Sequence, residues 1–479
     1  MEAFANLITV INNFLWGWPL LVLLFGTHIF LTIRLRFIQR YIGTALKLSV
    51  TKDKRATGDV SQFGALTTAL AATIGTGNIV GVATAISVGG PGAVLWMWFT
   101  GVFGMATKYS EALLAVKYRV KTSDGTMAGG AMYVLEHGLK NKPLALAFAL
   151  FGSIAAFGIG NTVQANSVST MIFVQFGTAP WITGLVMAIF TGIVLLGGIK
   201  WVARVCNVFV PFMAIFYILG CLIMLAMTYA TIPATIALIL KDAFTGQAAV
   251  GGFAGSTVLM AARYGVARGL FSNESGMGSA PILAAAAQTR NSVRQALVSS
   301  TGTFWDTVII CAITGITIVN TGVWNKGLDG AELTHTAFGT LGKIGPIVLS
   351  GGLLTFVFST ILGWYYYGEK CIEYLFGTKK VVLPYKVLYT VMVYVGAVMS
   401  LSLVWKLADL FNGLMAIPNL IALLALSGVI VKETKEYLWD NNLDKISEEN
   451  IIIQGSSEQQ PENGLDGIIE VPVADALDE

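Results

Sequence analysis

Apolar residues in this chain gather into long blocks. A transmembrane helix needs about 20 mainly apolar residues. Eleven such blocks can be read, near residues 12–33, 62–88, 92–117, 145–175, 181–199, 206–230, 247–270, 295–320, 345–367, 387–404 and 410–431. The pattern predicts an all-α polytopic membrane protein with about eleven spans.

Two of the blocks are interrupted in a way that uniform structural helices would not be. The second contains Ala72-Thr73-Ile74-Gly75-Thr76-Gly77-Asn78-Ile79-Val80-Gly81. Glycine in a helix interior costs about 1 kcal/mol relative to alanine, and Gly75, Gly77 and Gly81 fall within two turns. Thr76 and Asn78 add polar groups at mid-membrane depth, where non-helical backbone survives only against protein or a polar cavity. The seventh block carries a similar run, Gly251-Gly252-Phe253-Ala254-Gly255-Ser256. If spans 2–6 (61–230) and 7–11 (240–432) are two five-helix repeats, each break lies in the first helix of its half. Paired broken helices in equivalent positions point to a transporter site. One extra helix and a basic loop (1–60) precede the repeats.

The third helix of each half is also marked. Span 4 carries Asn161 and Gln164, three apart and expected to share a face; span 9 carries Ser359, Thr360 and Trp364. The chemistry follows from the breaks. Freed N–H groups of Gly75, Thr76, Gly77 and Asn78 can hold a carboxylate at a half-helix N-terminus. Gln164 would orient the substrate, and Trp364 would cap a small apolar side chain. Asn161, Phe253 and Thr360 complete the expected substrate set. Sodium wants oxygens, which Ala72, Thr73, Gly75, Ser359 and Thr360 could supply.

Charge refines this picture. Only 12% of residues are charged against 55% hydrophobic, about half the charged share of soluble domains. With the N-terminus outside, only Lys241, Lys326, Lys343 and Lys406 of the 30 basic residues fall on the outer side, which fits the positive-inside rule. Arg263 and Arg268 count with the inner side on these span limits. Residues 440–479 carry eleven acidic side chains and one lysine, and are expected to form a cytoplasmic, largely disordered tail. The net charge of +3 gives no reason to expect nucleic acid. Within the spans, Lys108 and Glu111 are expected to pair, three residues apart. Asp306 is expected to be a satisfied polar contact, with ion or proton binding as its alternative. His28 reads as structural. The stretch Ser272–Pro281 reads as an inner loop in which Glu274 could close a gate with an arginine. The widely spaced Cys206, Cys221, Cys311 and Cys371 read as buried apolar residues. A channel would want a repeated filter or pore ring, and an enzyme a nucleophile, carboxylate dyad or metal ligands; neither pattern is present.

The chain resembles the alanine/glycine:cation symporter family in three stretches: Gly75–Gly81, then Gly89-Gly90-Pro91-Gly92-Ala93-Val94-Leu95-Trp96-Met97-Trp98, then Ser272-Asn273-Glu274-Ser275-Gly276-Met277-Gly278. The middle stretch is similar to that family's signature, with Leu95 where phenylalanine is usual. The likeness runs from about residue 10 to 435. It implies a LeuT-like 5+5 inverted repeat behind one N-terminal helix, and import of alanine or glycine driven by Na+ or, less commonly, H+. It further implies the Gly75–Asn78 stretch, Gln164, Thr360 and Trp364 as the site, and a prokaryotic inner or plasma membrane. The oligomeric state is not implied.

Overall fold

The computed structural model describes residues 2–51, 57–246, 255–328, 330–340, 342–399, 402–447 and 452–453. It is overwhelmingly helical. Helices α1 (Glu2–Leu15) and α2 (Trp18–Arg34) make the first span, and α3 (Ile42–Val50) follows it. The second span is split into α4 (Gln62–Thr73) and α5 (Val80–Gly89). Next come α6 (Ala93–Lys117) and a hairpin of β1 (Val120–Lys121) and β2 (Met127–Ala128). Then come α7 (Lys142–Phe176), α8 (Pro180–Leu196), α9 (Gly198–Met227) and α10 (Ile232–Thr245). The second half starts with α11 (Val258–Asn273) and the short α12 (Pro281–Ala285). It continues through α13 (Ser292–Asn320), α14 (Gly330–Gly339), α15 (Ile344–Phe376), α16 (Val382–Val398), α17 (Ser402–Ala425) and α18 (Ser427–Thr434). Strand β3 (Ile452–Ile453) runs parallel to β1.

Among the described residues, seven helices are long and apolar enough to cross a membrane by themselves: Asn6–Arg34, α7, α9, α13, α15, Lys379–Val398 and Lys406–Ala425. The other expected spans correspond to the two split segments, to α6 and to α8. Leu196, Val208, Phe212 and Leu383 stand exposed on the bundle's outside, while Lys108, Glu111, Glu274 and Asp306 are buried inside it. That inversion of a soluble protein's pattern is what lipid demands.

Helices approach closely through small residues, the usual device where lipid removes the hydrophobic drive. On α11, Gly265 and Gly269 lie one turn apart against α6. A Cβ on them would meet the Ala93 carbonyl oxygen at 2.4 Å and the Thr100 hydroxyl at 2.1 Å. On α15, a Cβ on Gly363 would reach Ala72 Cβ at 2.6 Å. These contacts bring both split segments into the centre.

The described residues hold a break besides the one the sequence suggested in the seventh block. Gly251–Ala254, including Phe253, lie outside the described residues, and Gly255 and Ser256 simply precede α11, whose cap is Thr257. The described break falls between α11 and α12, in the stretch read above as an inner loop. Glu274, Gly276 and Gly278 take positive φ (55°, 91° and 82°), which ends the helix. Ser272, Asn273, Glu274, Ser275, Met277 and Ser279 are all buried. The composition of a loop is there because polar groups are satisfied by protein: Glu111 Oε1 accepts from the N–H of Gly276 (3.1 Å) and Gly278 (2.9 Å) and from Asn419 Nδ2 (2.7 Å).

That shift also moves two arginines. Calling the end with the N-terminus upper and the end with Arg34 lower, Arg263 and Arg268 share a cavity with Asn12 and Trp16. They therefore belong to the upper half, not to the lower side where their sequence position had put them. The start of the acidic segment is docked rather than free. Arg294 pairs with Asp444 at 2.7 Å, and Asn291 Nδ2 donates to the carbonyls of Leu443 and Lys445. Residues 454–479 lie outside the described residues.

Candidate functional site

Helix α4 is capped by Ser61, whose Oγ accepts from Gly64 N, and it stops at Thr73. The carbonyls of its last turn therefore lack intrahelical donors and carry the negative end of the helix dipole. A single 3₁₀ turn (Thr76–Asn78) carries the chain to α5. Gly75 sits where helices α7 and α15 converge: a Cβ there would lie 2.6 Å from Thr360 Oγ1 and 3.3 Å from Gln164 Oε1. Only glycine leaves this space. Thr76 N–H points to Gln164 Oε1 at a long 3.4 Å, and Thr360 Oγ1 donates to the Ile74 carbonyl at 3.1 Å. The Thr76 hydroxyl is buried with no hydrogen-bond partner among the described residues. A buried polar atom left unpaired costs free energy, which makes the Thr76 hydroxyl a candidate ligand contact.

Asn78 organises the break. Its Oδ1 accepts from Gly75 N (2.8 Å), and its Nδ2 donates to Asp306 Oδ1 (2.7 Å). Asp306 Oδ2 also accepts from Ser272 Oγ (3.0 Å) and Thr307 Oγ1 (2.6 Å). One carboxylate thus ties α13 to both broken segments. Asp306 lies in a π-helical stretch, Phe304–Cys311; such stretches often sit at functional sites. The expectation of a satisfied contact holds.

Trp364 lies one turn along α15 from Thr360, packed on Gly160. Its indole N–H donates to Glu274 Oε1 at 2.9 Å, and Ser279 Oγ donates to Glu274 Oε2 at 2.6 Å. Glu274 is thereby held beside Trp364, with no arginine among its hydrogen-bond partners in the described residues. Sequence reading saw a loop residue here; the Gly276/Gly278 pair was the signal that could have identified a second break.

Three expected ligands direct their side-chain donors elsewhere. Asn161 Nδ2 donates to the Tyr389 carbonyl on α16 (2.7 Å), not toward Gly75. Residues 158–162 are π-helical, so the three-residue spacing to Gln164 no longer places both on one face. Gln164 keeps the site face, its Nε2 anchored to the Ile159 carbonyl at 3.0 Å. Ser359 Oγ donates to the Phe356 carbonyl (2.8 Å) and contacts Met213 Sδ (3.3 Å) on α9. Thr73 Oγ1 returns to its own helix at the Ala69 carbonyl.

Lys108 and Glu111 do not pair. Glu111 is taken by the second break, and Lys108 Nζ has no hydrogen-bond partner among the described residues. It lines a cavity of about 20 Å³ that Thr73 and Ser299 also border, room for about one water. His28 is structural, its Nδ1 bonded to Thr107 Oγ1 at 2.8 Å. All four cysteines are buried and free.

Below the breaks a short seam joins the two segments. Residues 57–60, ahead of α4, bridge to 286–289, after α12. Arg119 clamps the seam, its guanidinium donating to the carbonyls of Ala285 (3.2 Å), Ala287 (2.9 Å) and Thr57 (3.3 Å).

Known proteins place this architecture. The family model described as the sodium:alanine symporter family matches residues 1–450. The chain is 52% identical over 445 residues to the sodium/alanine symporter AgcS of Methanococcus maripaludis, covering 91% of this chain and 97% of that protein. It is 51% identical over 452 residues to an uncharacterized transporter of Haemophilus influenzae, covering 93% and 99%. Among solved structures, MhsT in complex with L-phenylalanine superposes with a TM-score of 0.54 at 15% identity, over 78% of this chain and 98% of that one, which shows a shared LeuT-like fold. The chain belongs to the sodium:alanine symporter family, as a multi-pass plasma-membrane transporter with Na+ as its coupling ion and not an enzyme.

Proposed function

We propose that the protein imports small neutral amino acids, alanine or glycine, with sodium by alternating access. The upper end faces outside and the C-terminus is cytoplasmic. The observation that carries this reading is the unpartnered Thr76 hydroxyl in the break between α4 and α5, framed by Gly75, Gln164 and Thr360. The substrate carboxylate takes the backbone N–H groups of the Thr76–Asn78 turn with Thr76 Oγ1 and the Gln164 amide. Glu274, held by Trp364, supplies the countercharge for the ammonium. Crowding by Thr360, Gln164 and the Trp364 ring favours a methyl group or hydrogen as side chain. Sodium takes the free carbonyls at the end of α4, Ala72 and Thr73 among them, with Thr360 Oγ1; Ser359 joins once its hydroxyl turns from Met213. AgcS, named for sodium and alanine, supports the substrate and the ion.

The test is uptake of labelled alanine and glycine into proteoliposomes under separately imposed sodium, lithium and proton gradients. Accumulation driven by sodium is expected. Accumulation driven only by protons overturns the ion assignment, and failure to accumulate either amino acid overturns the substrate assignment.

A further inference from the structure

After α18 the chain turns back across the lower end of the bundle. Asn441 makes the turn with a positive φ of 57°, and Asn442 Nδ2 donates to the Glu436 carbonyl at 2.9 Å. Residues 443–447 then lie against the start of α13. Asn291 Nδ2 donates to the carbonyls of Leu443 (3.0 Å) and Lys445 (2.9 Å), while its Oδ1 caps α13 by accepting from Arg294 N. Ser447 N donates to the Arg290 carbonyl at 2.8 Å. The Asp444 carboxylate meets both Arg294 (2.7 Å) and Arg290 (3.5 Å). Further on, β3 adds a parallel strand to β1.

The two attachments meet the lower seam from different directions. Residues 290–294 directly follow 286–289, one side of the seam. The β1–β2 hairpin holds the other side: Met127 N donates to Asp59 Oδ2 at 2.9 Å, and Arg119, at the base of β1, donates to the Thr57 carbonyl. A hairpin of two residues a side is marginal alone; β3 makes it a three-stranded sheet. Asp124 at the hairpin tip pairs with Lys379, just ahead of α16. Glu433 draws the same parts together, accepting from Lys117 at the end of α6 (2.9 Å) and from Ser292 (3.1 Å). If 57–60 moves away from 286–289, the hairpin must let go of Asp59 or of β3. The family match ends at residue 450, so β3 lies beyond it.

We propose that the C-terminal segment is an autoinhibitory strap. Docked on the start of α13 through Asp444 and on β1 through β3, it holds the hairpin, and with it Arg119, against the seam and slows opening of the lower end. This rests on the reading of that seam as the inner gate of alternating access. The strap is suited to release. The Asp444 side chain is 86% exposed, against 5% for Arg294, so water competes for its ion pair. The β3 ladder spans only two residues. Its docking surface, the edge of β1 and the two arginines opening α13, is thus a regulatory face occupied by the chain's own end.

The experiment follows reaction of Ala69→Cys, which lines the cavity beside α4, with a membrane-impermeant maleimide applied from below. It uses the full-length protein in proteoliposomes, with labelling of the four native cysteines subtracted. Asp444→Lys sets a positive charge against Arg290 and Arg294. Ile452→Pro with Ile453→Pro removes both N–H groups of β3, which a ladder needs. Each change should speed labelling about two- to fivefold, in keeping with an exposed ion pair or a pair of backbone bonds, and the two together should speed it more than either. Lys445→Gln, whose side chain is outside these contacts, should label at the wild-type rate. Sodium-driven alanine uptake should be held or raised in the combined variant. Faster labelling with uptake lost marks a general loosening and overturns the strap. Arg119→Gln is the reference. If it speeds labelling while the Asp444 and β3 variants match the wild type, the strap is overturned and the gate stands. If Arg119→Gln is inert as well, the seam is not the gate and both readings fall.

Discussion

Adding one methyl group at Gly75 tests the heart of the site. The Cβ of Gly75→Ala would lie 2.6 Å from Thr360 Oγ1 and 3.3 Å from Gln164 Oε1. Both neighbours are buried, on helices α7 and α15 that are themselves packed, so relief requires a shift of the site. Overpacking of this kind costs about 1–3 kcal/mol. Charged to the substrate-bound state, that is roughly a 5- to 150-fold loss in kcat/KM at 1.4 kcal/mol per tenfold. The assay is sodium-driven alanine uptake in proteoliposomes, with reconstituted amount and monodispersity checked. Gly81→Ala is the control, since a Cβ there meets only the Thr76 carbonyl oxygen at 3.9 Å. In a double-mutant cycle, Thr360→Ala should shrink the effect of Gly75→Ala by removing the clashing hydroxyl. Equal uptake by Gly75→Ala and Gly81→Ala, or purely additive effects with Thr360→Ala, would refute the convergence of α4, α7 and α15 on this point.

Three further substitutions separate the roles assigned above. Trp364→Phe keeps the ring but removes the N–H that Glu274 accepts; loss of a hydrogen bond to a charged group (about 1.5–3 kcal/mol) should lower kcat/KM by roughly 10- to 150-fold. Tyr367→Phe, whose hydroxyl has no partner among the described residues, should stay near wild type, and similar values for the two would sink the Glu274 assignment. Asp306→Ala leaves Asn78, Ser272 and Thr307 without their shared acceptor, and about 2 kcal/mol should appear as a 30-fold weaker alanine Kd; an unchanged Kd would show that Asn78 orients itself. Arg119→Gln loosens the lower seam, so Ala69→Cys, which lines the lower cavity, should react faster with a membrane-impermeant maleimide applied from below. The same labelling rate with and without Arg119 would remove it from the gate.

Much of the site was legible because its signals were local. Glycines beside Thr76 and Asn78 inside an apolar block have few explanations other than a broken helix. Thr360 and Trp364 keep their ideal spacing because α15 is regular there. Gln164 and Asn161 show the limit: helical spacing is a reading only where the helix is α, and the π turn at 158–162 redirects Asn161 to Tyr389. The second break was missed for a related reason. Ser272–Pro281 has the composition of a hydrated loop, and only tertiary structure shows that Glu111 and Asn419 do the work of water. Lys108 and Glu111 failed as a pair because two distant segments, the Gly276–Gly278 break and α17 with Asn419, offered Glu111 three donors, more than one ammonium at a surface-pair energy could match.

The two ends of the bundle are built from different chemistry, and only the lower one is closed by a seam of backbone hydrogen bonds among the described residues. The lower seam consists of four backbone hydrogen bonds between 57–60 and 286–289, with Arg119 across it. Each such bond is replaced by one to water when the seam parts, so each contributes only about 0.5–1.5 kcal/mol net. A seam of the same extent built from interlocked apolar side chains would expose its area to water instead. The polar seam therefore holds the lower end shut by a few kcal/mol, a gap that differential binding of a substrate and an ion can reverse. Its strands are the direct extensions of α4 and α12, and Asp306 joins the two breaks above. Filling the site between the breaks thus acts on both segments at once, and the seam is where their relative displacement is felt. At the upper end no such backbone seam joins α11 to α17 among the described residues; Arg268 and Asp409 face each other across open space. On the proposed alternating access, opening the lower end trades the seam's polar contacts for bonds to water and uncovers only the small apolar cluster of Val60, Ala65, Ala203, Ala286 and Ala287 beside it.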